Sequence, residues 1–357
     1  MLSSVTNVTV QVIVPARNEE DCIGRCLESL VTQQGISFEI TVVDDGSTDR
    51  TRAIAQSFPG VRVMNSTEPL PGVSGKCNAL IGAAEGCRAD WLLFTDADTV
   101  HYPGSLAAAV AEAQQRGVDL LSYSPEQEVV SFAERVLMPL VFAELVRNYQ
   151  PELINDPGQP DAAANGQYLL VRRTVYESLN GHRSVQNNIL EDLELAKLFK
   201  ASGRKIWFRY GEGLVRARMY RSFAAICEGW TKNLTLLFDQ PLWLAWSRFE
   251  EFILLLALPL GSFAAWQVHR PVVAAVLALI FALTYGRFLI RVRRAHFRWS
   301  NNLLSFFGLP LFVSLLLRSW LHSHIRGAVT WKGRTYSHSE AKPASDSSIH
   351  LGSELDC

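Results

Sequence analysis

Asp96 and Asp98 flank Ala97 directly after the apolar run 91–95. Two carboxylates at i and i+2 on an irregular turn can converge on one hard divalent cation. Such a cation would neutralise the charge that develops on a diphosphate leaving group. Taken alone the pair is a weak signal, because Asp favours loops for turn chemistry as well. A second acidic loop, Asp44, Asp45, Gly46, Ser47, Thr48 and Asp49, closes the run 38–43. Its adjacent acids could accept hydrogen bonds from a uracil-like base edge and a ribose. Gly46 permits close approach, and Ser47 or Thr48 can cap the following helix. A plain capping loop accounts for the hydroxyls and Asp49, but not for two neighbouring acids at a strand end.

Four further clusters carry chemistry. Pro15, Ala16, Arg17, Asn18 and Glu19 end the run 10–14, where a donor molecule could be bound. Lys76 follows a Gly-rich approach, PGVSG, and could pair with phosphate as readily as remain a solvated surface cation. This is no Walker loop, since Cys77 follows the lysine. Glu191 and Asp192 open an apolar-periodic helix, 193–199, and an acid there ordinarily favours the helix dipole. The sharper reading is a general base acting on an acceptor hydroxyl. Arg218, Trp230 and Lys232 lie in a basic and aromatic stretch, 216–233. That stretch reads as a membrane-surface helix, as a diphosphate-binding element, or as a wall of the acceptor's way in.

The elements that must position these residues alternate. Short apolar, β-branched runs at 10–14, 38–43, 61–64 and 91–95 are separated by helical patterns at 21–31, 48–58 and 75–86. Runs of that length between helices predict buried parallel strands in an α/β sheet. In such sheets ligands collect beyond the carboxyl ends of the strands, which is where three of the polar loops fall.

Beyond residue 250 the composition changes. Apolar segments at 252–268, 271–290 and 303–320 are close to the length that crosses a bilayer. Arg291, Arg293, Arg294, His296 and Arg298 lie between the second and third, so that stretch is expected on the cytosolic side. Gly308, Leu309 and Pro310 interrupt the third segment, which admits a re-entrant or in-plane course. Residues 1–10 lack the basic start and long apolar run of a signal peptide. The expected organisation is a catalytic domain over 1–235, membrane-associated helices over 236–335 and a disordered tail over 336–357. The expected location is the inner cell membrane, with the catalytic domain cytoplasmic.

The 357 residues suffice for a real core, and a formal net charge of -1 argues against a nucleic-acid partner. Six scattered cysteines without a C-x-x-C pair argue against a disulfide framework or a zinc site. No G-x-G-x-x-G follows a strand, which argues against a dehydrogenase.

The motifs VPARNEE, VVDDGSTD, GKCNAL, FTDADT and ILEDLELAKLFKASG, in that order over roughly residues 8 to 235, resemble family-2 glycosyltransferases of the GT-A fold. The stretches at 164–173, 219–233 and 329–336 resemble the membrane-bound branch that includes carotenoid (hydroxychlorobactene-type) and hopanoid-associated glycosyltransferases and, more distantly, ceramide glucosyltransferases. The resemblance implies an inverting transfer of a sugar from a nucleotide-sugar donor, chiefly a UDP-sugar, to a lipid or isoprenoid hydroxyl, with Mg2+ or Mn2+ as cofactor. It implies Asp44 and Asp45 as nucleotide contacts, Asp96 and Asp98 as the metal-side acids and Asp192 as the catalytic base. Arg218, Trp230 and Lys232 fall where relatives carry a Q/R-x-x-R-W element, whose spacing this chain does not reproduce. Rival readings are a polyprenyl-phosphate or polysaccharide transferase and a non-catalytic, membrane-tethered binder of nucleotide sugars. An intact Glu191 and Asp192 pair favours the enzyme over the binder.

Overall fold

The computed structural model describes residues 8–69, 73–326, 328–331 and 334–337. The first half alternates strand and helix as the hydropathy pattern predicts. β1 (Thr9–Ala16), α1 (Ile23–Val31), β2 (Ser37–Asp44), α2 (Thr51–Gln56), β3 (Val61–Asn65), α3 (Gly75–Ala84) and β4 (Trp91–Phe94) follow in order. β5 (Thr99–His101), α4 (Ser105–Arg116), β6 (Leu120–Ser124), β7 (Glu126–Gln127), α5 (Phe132–Asn148) and α6 (Pro151–Ile154) come next. Then come β8 (Leu169–Arg172), α7 (Arg173–Ser178), α8 (Glu191–Ala201), β9 (Ile206–Tyr210), β10 (Val215–Ala217) and α9 (Phe223–Leu237).

Seven strands form one mixed sheet in the order β3-β2-β1-β4-β8-β6-β9. β1 pairs in parallel with β2 and β4, while β8 runs antiparallel between β4 and β6. β1 shows why its run is apolar but for Gln11, whose amide bonds Thr41 of β2. Val10, Val12 and Val14 enter the core on one face with Leu27 and Leu30 of α1, and Ile13 enters the other with Leu80 of α3. A strand buried on both faces has no polar side to alternate. Helices α1 and α2 begin later than the patterns 21–31 and 48–58 suggest. The intervening polar residues close the two loops on each other: the Asn18 side chain accepts from the Thr48 N–H at 2.9 Å, and Asp49 accepts from the Glu20 N–H at 3.1 Å.

The C-terminal part consists of α10 (Pro241–Gln267), α11 (Pro271–Arg293), α12 (Trp299–Leu304), a 3₁₀ turn at Ser305–Gly308 and α13 (Leu309–Leu321). Three helical segments, Pro241–Gln267, Pro271–Arg293 and Trp299–His324, are long and apolar enough to cross a membrane. The third is interrupted by the 3₁₀ turn that ends at Gly308, with Pro310 in the first turn of α13. α5, α9, α10, α11 and α13 share an apolar core that includes Phe142, Trp230, Phe288 and Phe312. A final hairpin pairs β11 (Ala328–Trp331) with β12 (Arg334–Ser337). Of the tail expected over 336–357, residues 336 and 337 belong to β12 and the others lie outside the described residues.

Candidate active site

The parallel strands β1, β2 and β4 deliver their polar loops to one edge of the sheet. Arg17 donates to the Asp45 main-chain oxygen at 2.6 Å and stands 3.9 Å from its carboxylate. Asp45 lines the large cavity described below. Asp44, the last residue of β2, is turned the other way. It accepts from the Ser47 N–H at 3.2 Å and lies 3.6 Å from Arg52, away from that cavity. Of the two adjacent acids, Asp45 is the one the structure places against the space where a donor would sit. Pro15, Ala16 and Glu19 also line that space.

Beyond β4, Asp96 and Asp98 face the same cavity. Asp98 accepts both of its side-chain hydrogen bonds from the Gln167 amide, at 3.2 and 3.3 Å. Burial, then the negative charges of Asp96 and Glu19, push its carboxyl up to about 7. Excess negative charge opposed by the Gln167 amide and, less strongly, by Lys76 is what a hard cation relieves. Among the described residues no complete cage of three or more acids or imidazoles is present. Two carboxylates with the other positions left to water and phosphate oxygens is the ordinary arrangement for Mg2+ beside a diphosphate. The donor set therefore fits the expected metal.

Lys76 joins this acidic edge to the pair at the start of α8. Ser74 caps α3 by accepting from the Cys77 N–H, which sets Lys76 on the first turn facing the cavity. Its ammonium lies 2.8 Å from Asp96 and 3.1 Å from Glu191. Burial alone would lower the Lys76 pKa, but Asp96, Glu191 and Asp192 outweigh it and hold the group well above the usual lysine range. Lys76 is thus held between two carboxylates at the cavity rather than standing alone in solvent. Glu191 is buried too, yet Lys76 keeps its carboxyl below the ordinary value. Asp192 differs: burial, then the Glu191 charge, raise it to about 6. It accepts from the Gly166 N–H at 2.7 Å and from the Leu193 N–H at 2.8 Å. Two neighbouring acids thus have divergent proton affinities, the usual signature of divided labour in an active site.

The cavity measures about 1160 Å³. Its polar end holds Arg17, Asp45, Lys76, Asp96, Asp98 and Asp192. It continues past Phe142 and Leu145 of α5 and Leu237 of α9 to residues 295–298, the loop between α11 and α12. The tentative residues divide. Arg218 lines the cavity, but its guanidinium grips Glu134 at 2.9 and 3.2 Å. Trp230 lines it too, buried against Tyr220 and Phe142, and its indole N–H has no hydrogen-bond partner among the described residues. Lys232 lines the cavity as well, its pKa lowered by burial despite Glu191 nearby.

Sequence reasoning missed Gly166 and Gln167. A Cβ at position 166 would stand 2.9 Å from the Lys76 nitrogen and 3.3 Å from Asp192. A side chain at 166 would press the Lys76 tip away from Asp192, so glycine lets this loop carry its N–H to Asp192 with the lysine close by. The stretch ANGQ at 164–167 held that signal, an isolated glycine between polar residues before a strand. It also missed Glu134, whose place in the capping box of α5 reads locally as a helix start.

Residues 11–179 match the family described as Glycosyl transferase family 2. The chain is 28% identical over 349 residues to 4,4'-diaponeurosporenoate glycosyltransferase of Staphylococcus aureus (strain MRSA252), covering 92% of this chain and 88% of the relative. The same protein from strain USA300 matches with the same identity and coverage. In three dimensions the chain is similar to a mannosyltransferase from Pyrobaculum calidifontis in complex with GDP-Man and Mn2+, with a TM-score of 0.52 and 19% identity. That likeness covers 89% of this chain and 87% of the other. Residues 11–179 thus carry a domain of the family described as Glycosyl transferase family 2, and the chain has the fold of GT-A glycosyltransferases.

Proposed function

We propose that the protein is a metal-dependent, inverting transferase that moves a sugar from a nucleotide-sugar donor, chiefly a UDP-sugar, onto the hydroxyl of a membrane lipid or isoprenoid. The observation that carries this reading is the bridge at Lys76, which brings Asp96 of the donor side within one ammonium of Glu191, next to Asp192. Residues 1–235 form the catalytic unit and residues 236–335 hold it to the inner membrane, with the site on the cytoplasmic side.

Arg17 and Asp45 would hold the nucleoside, with Pro15, Ala16 and Glu19 shaping that end. Asp96 and Asp98 would hold Mg2+ or Mn2+, whose chemistry is to neutralise the departing diphosphate. Lys76 supplies a fixed positive charge beside the same oxygens. Asp192 takes the proton from the acceptor hydroxyl, whose oxygen then attacks the anomeric carbon. The bond from that carbon to the diphosphate breaks, its electrons leave with the nucleotide, and configuration inverts. Asp192 suits the role because its carboxyl is raised towards the working pH while two main-chain N–H groups hold it in place. The apolar arm past Phe142, Leu145 and Leu237 suits an acceptor with a hydrocarbon body.

A second reading has a specific support. The acceptor in the staphylococcal relative's name is a carboxylate, and Lys232 sets a half-buried cation in the cavity near Glu191 and Asp192. A carboxylate acceptor arrives without a proton to remove. The deciding assay supplies membranes containing the protein with labelled UDP-glucose, GDP-mannose or UDP-GlcNAc. Hydroxylated and carboxylated isoprenoids are offered as acceptors, with and without Mn2+. Label passing into organic solvent only with metal and a hydroxyl acceptor, and lost in Asp192→Asn, supports the proposal. Transfer to the carboxylate alone, undiminished in Asp192→Asn, replaces it with the second reading. Label in a polymer instead moves the protein to polysaccharide synthesis. Asp98→Ala should abolish Mn2+ binding measured by titration calorimetry with UDP; unchanged binding removes Asp98 from the metal site.

A further inference from the structure

The third apolar segment differs from the first two in where its ends are fastened. Arg291 of α11 pairs with Glu251 of α10 at 2.5 Å and with Glu144 of α5 at 2.6 Å, while Arg248 meets Glu251 at 2.8 Å. This charged knot marks the level at which α10 and α11 leave the cavity-bearing half. From Glu251 to the turn near His269, and from Pro271 back to Arg291, each arm runs about 25–30 Å at ~1.5 Å per residue, one hydrocarbon thickness. Both arms are clothed in exposed apolar side chains, among them Leu260, Phe263, Leu279 and Leu283. Trp266, also exposed, stands at the far end, where aromatic belts form.

α12 and α13 do not follow that course. Gly308 lies so close to α5 that a Cβ there would overlap the Val136 carbonyl oxygen. At the other end of α13, Ser319 accepts from the Thr235 N–H of α9 at 3.0 Å, and the two hydroxyls are 2.7 Å apart. The chain then enters β11, which lies beside α9. Both ends of α13 are therefore fastened to helices that wall the active-site cavity, by close packing at Gly308 and by hydrogen bonds at Ser319. Phe306 stacks on Phe252 at 5.4 Å, which places it beside the charged base of the α10–α11 hairpin rather than its tip. Protein covers 39% of the segment's apolar window, against 11% for each of the other two, so it has a distinct inner face. Phe312, Leu316 and Ser319 form that face, while Phe307, Leu317 and Leu321 point outward.

We infer that, among the described residues, α10 and α11 alone cross the bilayer, and that α12 and α13 lie flat with their outer face in the leaflet on the catalytic side. The cavity wall at 295–298, at the head of this segment, then opens to that leaflet, and the chain beyond Arg326 stays on the catalytic side. The inference rests on the membrane placement proposed above but not on any acceptor, and its test measures no transfer.

The test is side-specific labelling of the full chain in intact and permeabilised cells with a membrane-impermeant maleimide. The probes are native Cys357 and a cysteine introduced by His269→Cys at the hairpin turn, with Cys357→Ser as background. The expected result is labelling at 269 and protection at 357 in intact cells, with both labelled after permeabilisation. Equal labelling of both positions in intact cells means three crossings and overturns the inference. Equal protection of both means no crossing and overturns it as well.

Discussion

The Lys76 ammonium stands 2.8 Å from Asp96 and 3.1 Å from Glu191, joining the loop after β4 to the first turn of α8 through one positive charge. A donor diphosphate that claims Lys76 must loosen both contacts. Donor binding and the electrostatics around Asp192 are therefore linked, because Lys76 also lowers the proton affinity of Asp192.

Lys76→Met should reduce kcat by about 100- to 1000-fold, the range for losing one positioned electrostatic stabiliser. Removing the cation also strips Glu191 and Asp192 of their counter-charge, so the acidic limb of the pH–rate profile should move to higher pH. Steady-state rates across pH 5 to 9 check both effects. An unshifted acidic limb would separate Lys76 from Asp192.

Asp192 must be ionised to act as a base, and its carboxyl sits at about 6. For a hydroxyl acceptor, kcat/KM should be flat above pH 7 and fall tenfold per unit below about pH 6. The stability effect has the opposite sign. A carboxylate whose folded pKa is raised above its unfolded value costs stability when ionised, and that cost vanishes as pH falls below the unfolded value. Asp192→Asn should therefore raise Tm at pH 7.5, with the gain disappearing near pH 4, while transfer is lost and donor affinity is kept. Differential scanning fluorimetry and equilibrium donor binding check the pair of effects.

Gly166→Ala puts a methyl group 2.9 Å from the Lys76 nitrogen and 3.3 Å from Asp192. The lysine tip can swing away, so the fold should survive with Tm lowered by a few degrees. Transfer should drop by about 100-fold, the scale of a displacement near 1 Å at a reacting group. Full activity in this variant would show that the lysine and the base need not be held so close.

Gly308→Ala forces α12 away from the Val136 carbonyl of α5. Overpacking of this kind costs about 1–3 kcal/mol. Thermal unfolding in detergent should show the loss, whereas Gly286→Ala in α11, with open space around it, should change little.

Much of the site was legible because it is local. Asp96 and Asp98, Asp45, and the Glu191 and Asp192 pair all stand within a residue or two of a strand end or helix start, and hydropathy marks such ends. Lys76 was legible as a cation at a helix start, but its partners were not, since Asp96 and Glu191 reach it only through the packing of α3 and α8 on one sheet face. Gln167 and Gly166 escaped for the same reason. Nothing near them in the chain indicates that an antiparallel β8 will slot beside β4 and carry them to Asp98 and Asp192.

By itself the sequence determined the alternation of strands and helices, the acidic loops at the strand ends and three apolar C-terminal runs, because each is a pattern of neighbouring residues whose periodicity sets burial. Tertiary structure decided which acid of the Asp44 and Asp45 pair faces the cavity, since consecutive residues at a strand end point to opposite sides. It also set Lys76 between Asp96 and Glu191, and it distinguished the third apolar run from the other two by protein contact rather than hydropathy. These are relations between distant segments, fixed by which surfaces pack together, and no local pattern encodes them.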